Sequence, residues 1–182
     1  MSLQSGMERV GPYGPARRII ELWALAGGLL LVGVVCMIAY SLLSDIAFRK
    51  PLPGDFELVE VGVAVAAFAF LPYCQLTGAN VSADIFTQGA GPRTIAFLKL
   101  LSAVIALVFS LILTWRMSVG LLDIHRYGET TTIMGFPIWI AYVPIVFSLM
   151  LLALASLISV RDALADARSA QTGVAAGRGP AA

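Results

Sequence analysis

PGDFELVEVGVAVAAFAFLPYCQLTGANVSADIF, residues 53–86, is the stretch that decides the predicted fold. Carboxylates stand at its beginning, its middle from 61 to 71 carries no charged residue, and polar residues return after Pro72. The hydrocarbon core of a bilayer, about 30 Å thick, is crossed by roughly 20 mostly apolar helical residues. The stretch is therefore typical of a membrane-spanning helix with polar ends.

Composition extends this interpretation to the whole chain. Of its 182 residues 59% are hydrophobic and 13% charged, whereas a soluble domain carries about 25% charged residues. Two further runs, 22–43 and 137–160, contain no charged residue at all. Runs of this length indicate bilayer spans rather than a soluble core, and the sequence predicts an all-α integral membrane protein.

The runs divide the chain into three parts. We expect an N-terminal tail (1–18), a four-helix transmembrane domain (19–160) and a C-terminal tail (161–182), with spans at about 20–43, 57–76, 95–119 and 137–160. Pro51, Pro53 and Gly54 break the helix between the first two spans. A short interfacial helix around Asp84 is predicted between spans two and three. Pro137 favours the first turn of span four.

Several function classes are excluded by what the sequence lacks. A net charge of +1 without a basic cluster argues against a nucleic-acid partner. His125 is the one histidine, and Cys36 and Cys74 lie apart within apolar runs, so neither paired haem ligands nor the usual zinc spacings can form within this chain. We therefore predict no cofactor, no metal site and no enzymatic activity.

Acidic residues gather where span two begins. Asp55, Glu57 and Glu60 lie at a helix N-terminus, where the helix dipole favours negative charge by about 0.3–1 kcal/mol. The helix dipole alone explains why three carboxylates occur at this position. Glu60 sits one turn further in, and a carboxylate within a membrane usually faces protein or water, so a polar contact is the second interpretation for it.

Small and aromatic residues supply the other candidates. Small side chains let helix backbones approach closely, although glycine is also tolerated in membranes without such a role; the candidates are Gly28, Gly33, Gly62 and Ala66. Aromatic and basic residues anchor helices at the membrane surface; these are Trp115, Arg116, Trp139 and Tyr142, with the first two expected at the far interface.

The distribution of basic residues predicts an orientation. One side of a four-span protein carries Arg9, Arg17, Arg18, Arg93, Lys99, Arg161, Arg168 and Arg178, and the other carries Arg49, Lys50, Arg116 and Arg126. The positive-inside rule then places both termini in the cytoplasm.

The order of these features resembles a known family. The acidic ELVE at 57–60, TGANVSADIF at 77–86, Trp-Arg late in span three and ETTTIMGFPIWIAYVPI at 129–145 together resemble the small, DctQ-like membrane subunit of tripartite ATP-independent periplasmic (TRAP) transporters. The resemblance covers roughly 19–160. Many relatives carry a histidine where Asn80 stands here, so an imidazole-dependent role at that position is not carried over.

The resemblance implies a multi-pass protein of the bacterial inner membrane, partnered by a large permease subunit and a periplasmic substrate-binding protein. Such systems import organic acids, usually with sodium, and the small subunit is part of the fixed scaffold. The implied contacts to the large subunit are Gly28, Gly33, Glu57, Glu60, Gly62, Ala66 and Asp84. Asp55, Arg126 and Glu129 are candidates for contact with the binding protein, with solvated charge as the alternative.

Two other functions remain open from the residues. One is a membrane anchor subunit of a different inner-membrane complex. The other is a self-sufficient small transporter, which needs a charge or a polar stripe within a span, and spans one and four have no charged residue.

Overall fold

Four long helices make up the computed structural model, which describes residues 14–50, 52–77 and 92–176, with side chains in the last range described for 98–165. The helices are α1 (Gly14–Phe48), α2 (Asp55–Thr77), α3 (Pro92–Tyr127) and α4 (Trp139–Ala176). Each contains a stretch long and apolar enough to cross a membrane. The predicted all-α fold with four spans is confirmed, while the interfacial helix predicted around Asp84 lies outside the described residues.

The third helix is longer than its predicted span. It runs to Tyr127 and ends where Gly128 adopts a φ of 64° and donates its N–H to the carbonyl of Ile124 at 3.1 Å. A glycine in this conformation is a common helix C-terminus. His125 lies in the last turn of α3, beyond the span predicted to end at about 119, because charged residues do not end a helix once it has left the hydrocarbon.

The helices pack in the order α1, α2, α4, α3. The main contacts join α1 to α2, α2 to α4, and α4 to α3. The last helix in the chain is therefore a central one, and α1 and α3 lie at the edges. Short connections place the 49–54 and 128–138 loops together at one end, called here the loop end; the described chain starts and stops at the opposite, terminal end.

Closely apposed small residues join α1 to α2. A Cβ added to Gly27 would lie 2.6 Å from the Cβ of Ala69, and one added to Gly62 would collide with Val34. The buried residues of α1 recur every three, four or seven positions, and are Ile20, Ala24, Gly27, Val34 and Ser41. We call the contact of this stripe with Gly62, Ala66 and Ala69 the α1–α2 seam.

Towards the terminal end, α1 also reaches α4. Trp23 donates its indole N–H to the hydroxyl of Ser148 at 2.9 Å, and its ring meets Phe147 edge to face at 4.6 Å. Ile20 joins Leu151 in a small buried cluster beside them. The N-terminal half of α1 is thus fixed by two neighbours, which makes α1, α2 and α4 one packed unit.

Candidate interaction surfaces

A carboxylate ties the two loops of the loop end together. Glu57, in the first turn of α2, accepts the backbone N–H of Ile133 at 2.7 Å and that of Met134 at 3.1 Å. Beside it Gly54 has a φ of 78°, and a side chain there would overlap Met134. The predicted polar residue Glu57 therefore has a partner within the chain, 76 residues away.

The segment that Glu57 holds is a compact hairpin. The N–H of Thr131 donates to the carbonyl of Phe136 at 2.9 Å, and the N–H of Phe136 donates back to the Thr131 hydroxyl at 3.0 Å. The N–H of Ile138 donates to the carbonyl of Glu129 at 3.1 Å. These bonds fix residues 129–138 in one shape, so Pro137 precedes α4 instead of forming its first turn.

Asp55 is also engaged within the chain. The buried hydroxyl of Ser41 donates to its carboxylate at 2.7 Å and accepts the N–H of Leu52 at 3.2 Å. The other carboxylate oxygen accepts the N–H of Phe56 at 2.8 Å. Asp55 thus closes the first loop against the end of α1, and its contact with a periplasmic partner stays a prediction.

The predicted small residues fall into two groups. Gly62 and Ala66 are buried in the α1–α2 seam, so their close approach is used within this chain. A Cβ on Gly28 would meet only the ring of Phe70 at 3.7 Å, and one on Gly33 would meet nothing within 4 Å. Gly27, which the sequence reasoning missed, makes the tighter contact, and nothing local in the sequence distinguishes it from the adjacent Gly28.

The remaining charged candidates lie on the surface or outside the described residues. The Glu60 side chain is exposed and forms no hydrogen bond or ion pair with the described part of the chain. Arg126 and Glu129 are exposed at the loop end. Asp84 lies in 78–91, which the structure does not describe. Their partner contacts stay predictions.

The predicted anchors lie at two depths. Trp139 is half-buried at the start of α4 and packs edge to face on His125 at 5.3 Å, and Tyr142 lies against Gly120. Arg116 is nine residues before His125, about 14 Å along the helix axis at 1.5 Å per residue. Trp115 and Arg116 therefore lie well inside α3, far from its loop end; the anchor role of all four residues stays a prediction.

The interior is almost free of polar groups. Among the described residues the buried polar side chains are Ser41, Ser110, Ser148 and Ser156, and no charged side chain is buried. Nor do three or more His, Cys, Asp or Glu side chains within 14–50, 52–77 and 98–165 come together as metal ligands. The described interior is therefore almost entirely apolar packing surface.

Four helices of this length and polarity define a multi-pass helical membrane protein. A family model described as tripartite ATP-independent periplasmic transporters, DctQ component, matches residues 34–166. The chain belongs to this family of transporter components, and the resemblance noted in the sequence is confirmed. No curated protein and no solved structure matches the chain.

Proposed function

We propose that the chain is the small permease subunit that packs, as a fixed scaffold, against the large permease subunit of a TRAP transporter. The complex takes up an organic acid by sodium-driven secondary transport and receives its substrate from a periplasmic binding protein. Membership of the DctQ family supports this assignment. The protein lies in the bacterial inner membrane and contributes helix surface to the complex, without a catalytic step.

The single observation that carries the scaffold role is the apolar interior. An anion and a sodium ion leave water only where polar groups replace their hydration. The described interior offers four serine hydroxyls, and three of them are bonded: Ser41 to Asp55, Ser110 to the carbonyl of Leu107, and Ser148 to that of Pro144. A self-sufficient transporter built from this chain would have no site for its cargo in the described core.

The edge helices supply the docking surface in this proposal. α1 and α3 each pack chiefly against one neighbour and leave large apolar side chains uncovered, among them Leu29, which is 75% exposed. Gly33 is exposed on α1, Gly28 lies half-buried on α1 beside Phe70, and Glu60 is exposed on α2. We retain all three as contacts to the large subunit. Gly62 and Ala66 would act through the α1–α2 seam, by fixing the shape of the surface that α1 presents.

The loop end faces the periplasm in this proposal, and both termini are cytoplasmic. Asp55 at the start of α2, Arg126 in the last turn of α3 and Glu129 in the hairpin then face the binding protein. Glu57 keeps the hairpin in shape. A phosphatase fused within the hairpin should be active and one fused to the C-terminus inactive. The reverse pattern would overturn the orientation.

The experiment for the function itself is reconstitution. We expect the small subunit to copurify with a tagged large subunit, and uptake of a labelled organic acid to require both subunits, the binding protein and an inward sodium gradient. Proteoliposomes with the small subunit alone should show no uptake. Uptake by the small subunit alone would favour the self-sufficient transporter, and failure to copurify would favour an anchor for a different inner-membrane complex.

A further inference from the structure

Two adjacent side chains on α3 combine exposure with unused hydrogen-bond donors. Trp115 is 70% exposed, and Arg116 beside it is exposed as well. Neither side chain forms a hydrogen bond or ion pair with the described part of the chain. An indole and a guanidinium carry N–H donors and no acceptor, so the pair requires acceptors from outside these residues.

The need for outside acceptors follows most clearly from the depth of Trp115 and Arg116 in the membrane. Lys99 and His125 are 26 residues apart on α3, about 39 Å at 1.5 Å per residue. We place the hydrocarbon core, about 30 Å thick, midway between these two residues, and Arg116 then lies roughly 9 Å below the nearer boundary. Trp115 lies slightly deeper. Lipid chains supply no hydrogen-bond acceptor at that depth, and the usual tryptophan belt lies at the boundary itself.

Trp23 on α1 offers a comparison, because its indole N–H is hydrogen-bonded within the chain. Its N–H donates to Ser148 at 2.9 Å, and its ring packs on Phe147. No serine or carbonyl is provided in the same way for Trp115 among the described residues. The chain thus satisfies one indole internally and presents the other, together with a cation, to its surroundings.

We propose that Trp115 and Arg116 dock against a membrane helix of the large permease subunit that carries a carboxylate at this depth and a carbonyl or hydroxyl acceptor beside it. The carboxylate takes the guanidinium in a two-bond fork, and the second acceptor takes the indole N–H. The inference rests on the proposed function and adds the α3 edge, beside α1 and α2, to the subunit interface.

The chemistry favours a protein partner over a lipid headgroup. Arg116 can extend towards a headgroup phosphate, but the shorter and stiffer Trp115 cannot follow it to the boundary, and its N–H would stay unpaired. Adjacent exposed Trp and Arg are also the residue types that carry most of the binding energy at protein interfaces. A carboxylate on a partner helix would neutralise the Arg116 guanidinium and would lie at the same depth in the membrane.

The test is recovery of the large subunit on a tagged small subunit after mild detergent extraction. Arg116→Ala should lower recovery at least about tenfold, because truncating one partner of a buried charge pair leaves the other charge unpaired. Arg116→Lys should restore it only in part, since an ammonium lacks the fork. Trp115→Phe, which keeps the ring and removes the N–H, should lower recovery by a smaller factor.

Lys99→Ala is the matched control, because it removes an exposed cation near the other end of the same helix. Its recovery should equal that of wild type. The small subunit purified alone provides the folding control: Arg116→Ala should keep the wild-type melting temperature, since Arg116 bonds to nothing among the described residues. A variant that lost its own stability together with its partner would contradict the inference.

Three outcomes would overturn the inference. If wild type recovers the large subunit and Arg116→Ala recovers it equally well, the α3 inference fails and the scaffold function stands. If Arg116→Lys is equivalent to wild type while Arg116→Ala is not, a single positive charge is sufficient and the two-bond fork to a carboxylate is wrong. If wild type itself recovers no large subunit, the proposed function fails first.

Discussion

The α1–α2 seam and the Trp115–Arg116 face of α3 both lie on helices apolar enough to span a membrane, but only the seam has its contacts within the described chain. At the seam, Gly27 meets Ala69 and Gly62 meets Val34, and Ser41 and Asp55 complete each other's hydrogen bonds nearby. On α3, six N–H donors of two side chains have no acceptor within the described residues. The seam is closed by the chain itself, whereas the donors of the α3 face are unused by the described chain, which is why we propose a partner for them. Changes in the first should cost stability, and changes in the second should cost association.

The largest effect on stability should come from the seam. Gly27→Val places a branched side chain where even a Cβ would lie 2.6 Å from that of Ala69, so the helices have to separate. We expect a loss of about 1–3 kcal/mol in the free energy of unfolding, the usual cost of overpacking. Thermal unfolding of the small subunit alone in detergent, followed by circular dichroism, measures it.

Gly33→Val is its control, because the same residue enters the same helix where nothing lies within 4 Å. It should leave the melting temperature close to that of wild type. Equal losses in the two variants would mean that helix propensity decides the effect and that the seam is not a tight contact.

A smaller effect on stability is expected from the hydrogen bond of Trp23, which we compare with the unbonded Trp115. Ser148→Ala leaves the indole N–H of Trp23 without its acceptor, and interhelical hydrogen bonds of this kind contribute about 0.6–2 kcal/mol in membranes. Ser156→Ala is the matched control, since that buried hydroxyl has no partner among the described residues. It should be neutral or stabilising, because replacing an unsatisfied buried group removes a desolvation cost.

In the isolated small subunit, Trp115→Phe should, like Ser156→Ala, cause no loss of stability, because the Trp115 N–H has no acceptor in the described chain. An equal loss from Ser148→Ala and Ser156→Ala would show that the Trp23 bond contributes nothing. A loss from Trp115→Phe in the isolated subunit would break the comparison between a closed seam and an open face.

The smallest effect on the melting temperature should come from Glu57→Ala, because it releases only the hairpin. Without the carboxylate the N–H groups of Ile133 and Met134 lose their acceptor. We expect faster amide hydrogen exchange across 131–136 and little change in the helices. Glu60→Ala, which removes a carboxylate with no partner in the described chain, should leave the exchange rates unchanged. Identical exchange rates in both variants would show that Glu57 does not hold the hairpin.

Much of the fold could be predicted because membrane insertion depends on local, summed hydropathy. Runs such as 22–43 and 137–160 carry that signal in themselves. The length of α3 could not be predicted in the same way. His125 and Arg126 resemble loop residues, but a helix keeps its own hydrogen bonds in water and here ends only at Gly128. The packing order α1, α2, α4, α3 could not be predicted either, because no local feature of the sequence specifies which helices are neighbours.

The candidate contacts could be predicted by type more readily than by partner. Glu57 was identified as a polar contact, but its acceptor role depends on backbone groups 76 residues away. Gly28 and Gly33 were chosen over Gly27 because neighbouring glycines look alike until the rotation of the helix is known. The spacing of the buried residues from Ile20 to Ser41 shows that rotation, but it is seen only in the structure, because the whole run 22–43 is uncharged.

The packing order has a consequence for how the protein is made. α1 and α2 can pair as soon as both have left the ribosome, because the seam needs only residues already synthesised. α3 emerges next, but its main neighbour is α4, the last helix of the chain. During synthesis α3 is therefore complete before its main neighbour among the described helices exists.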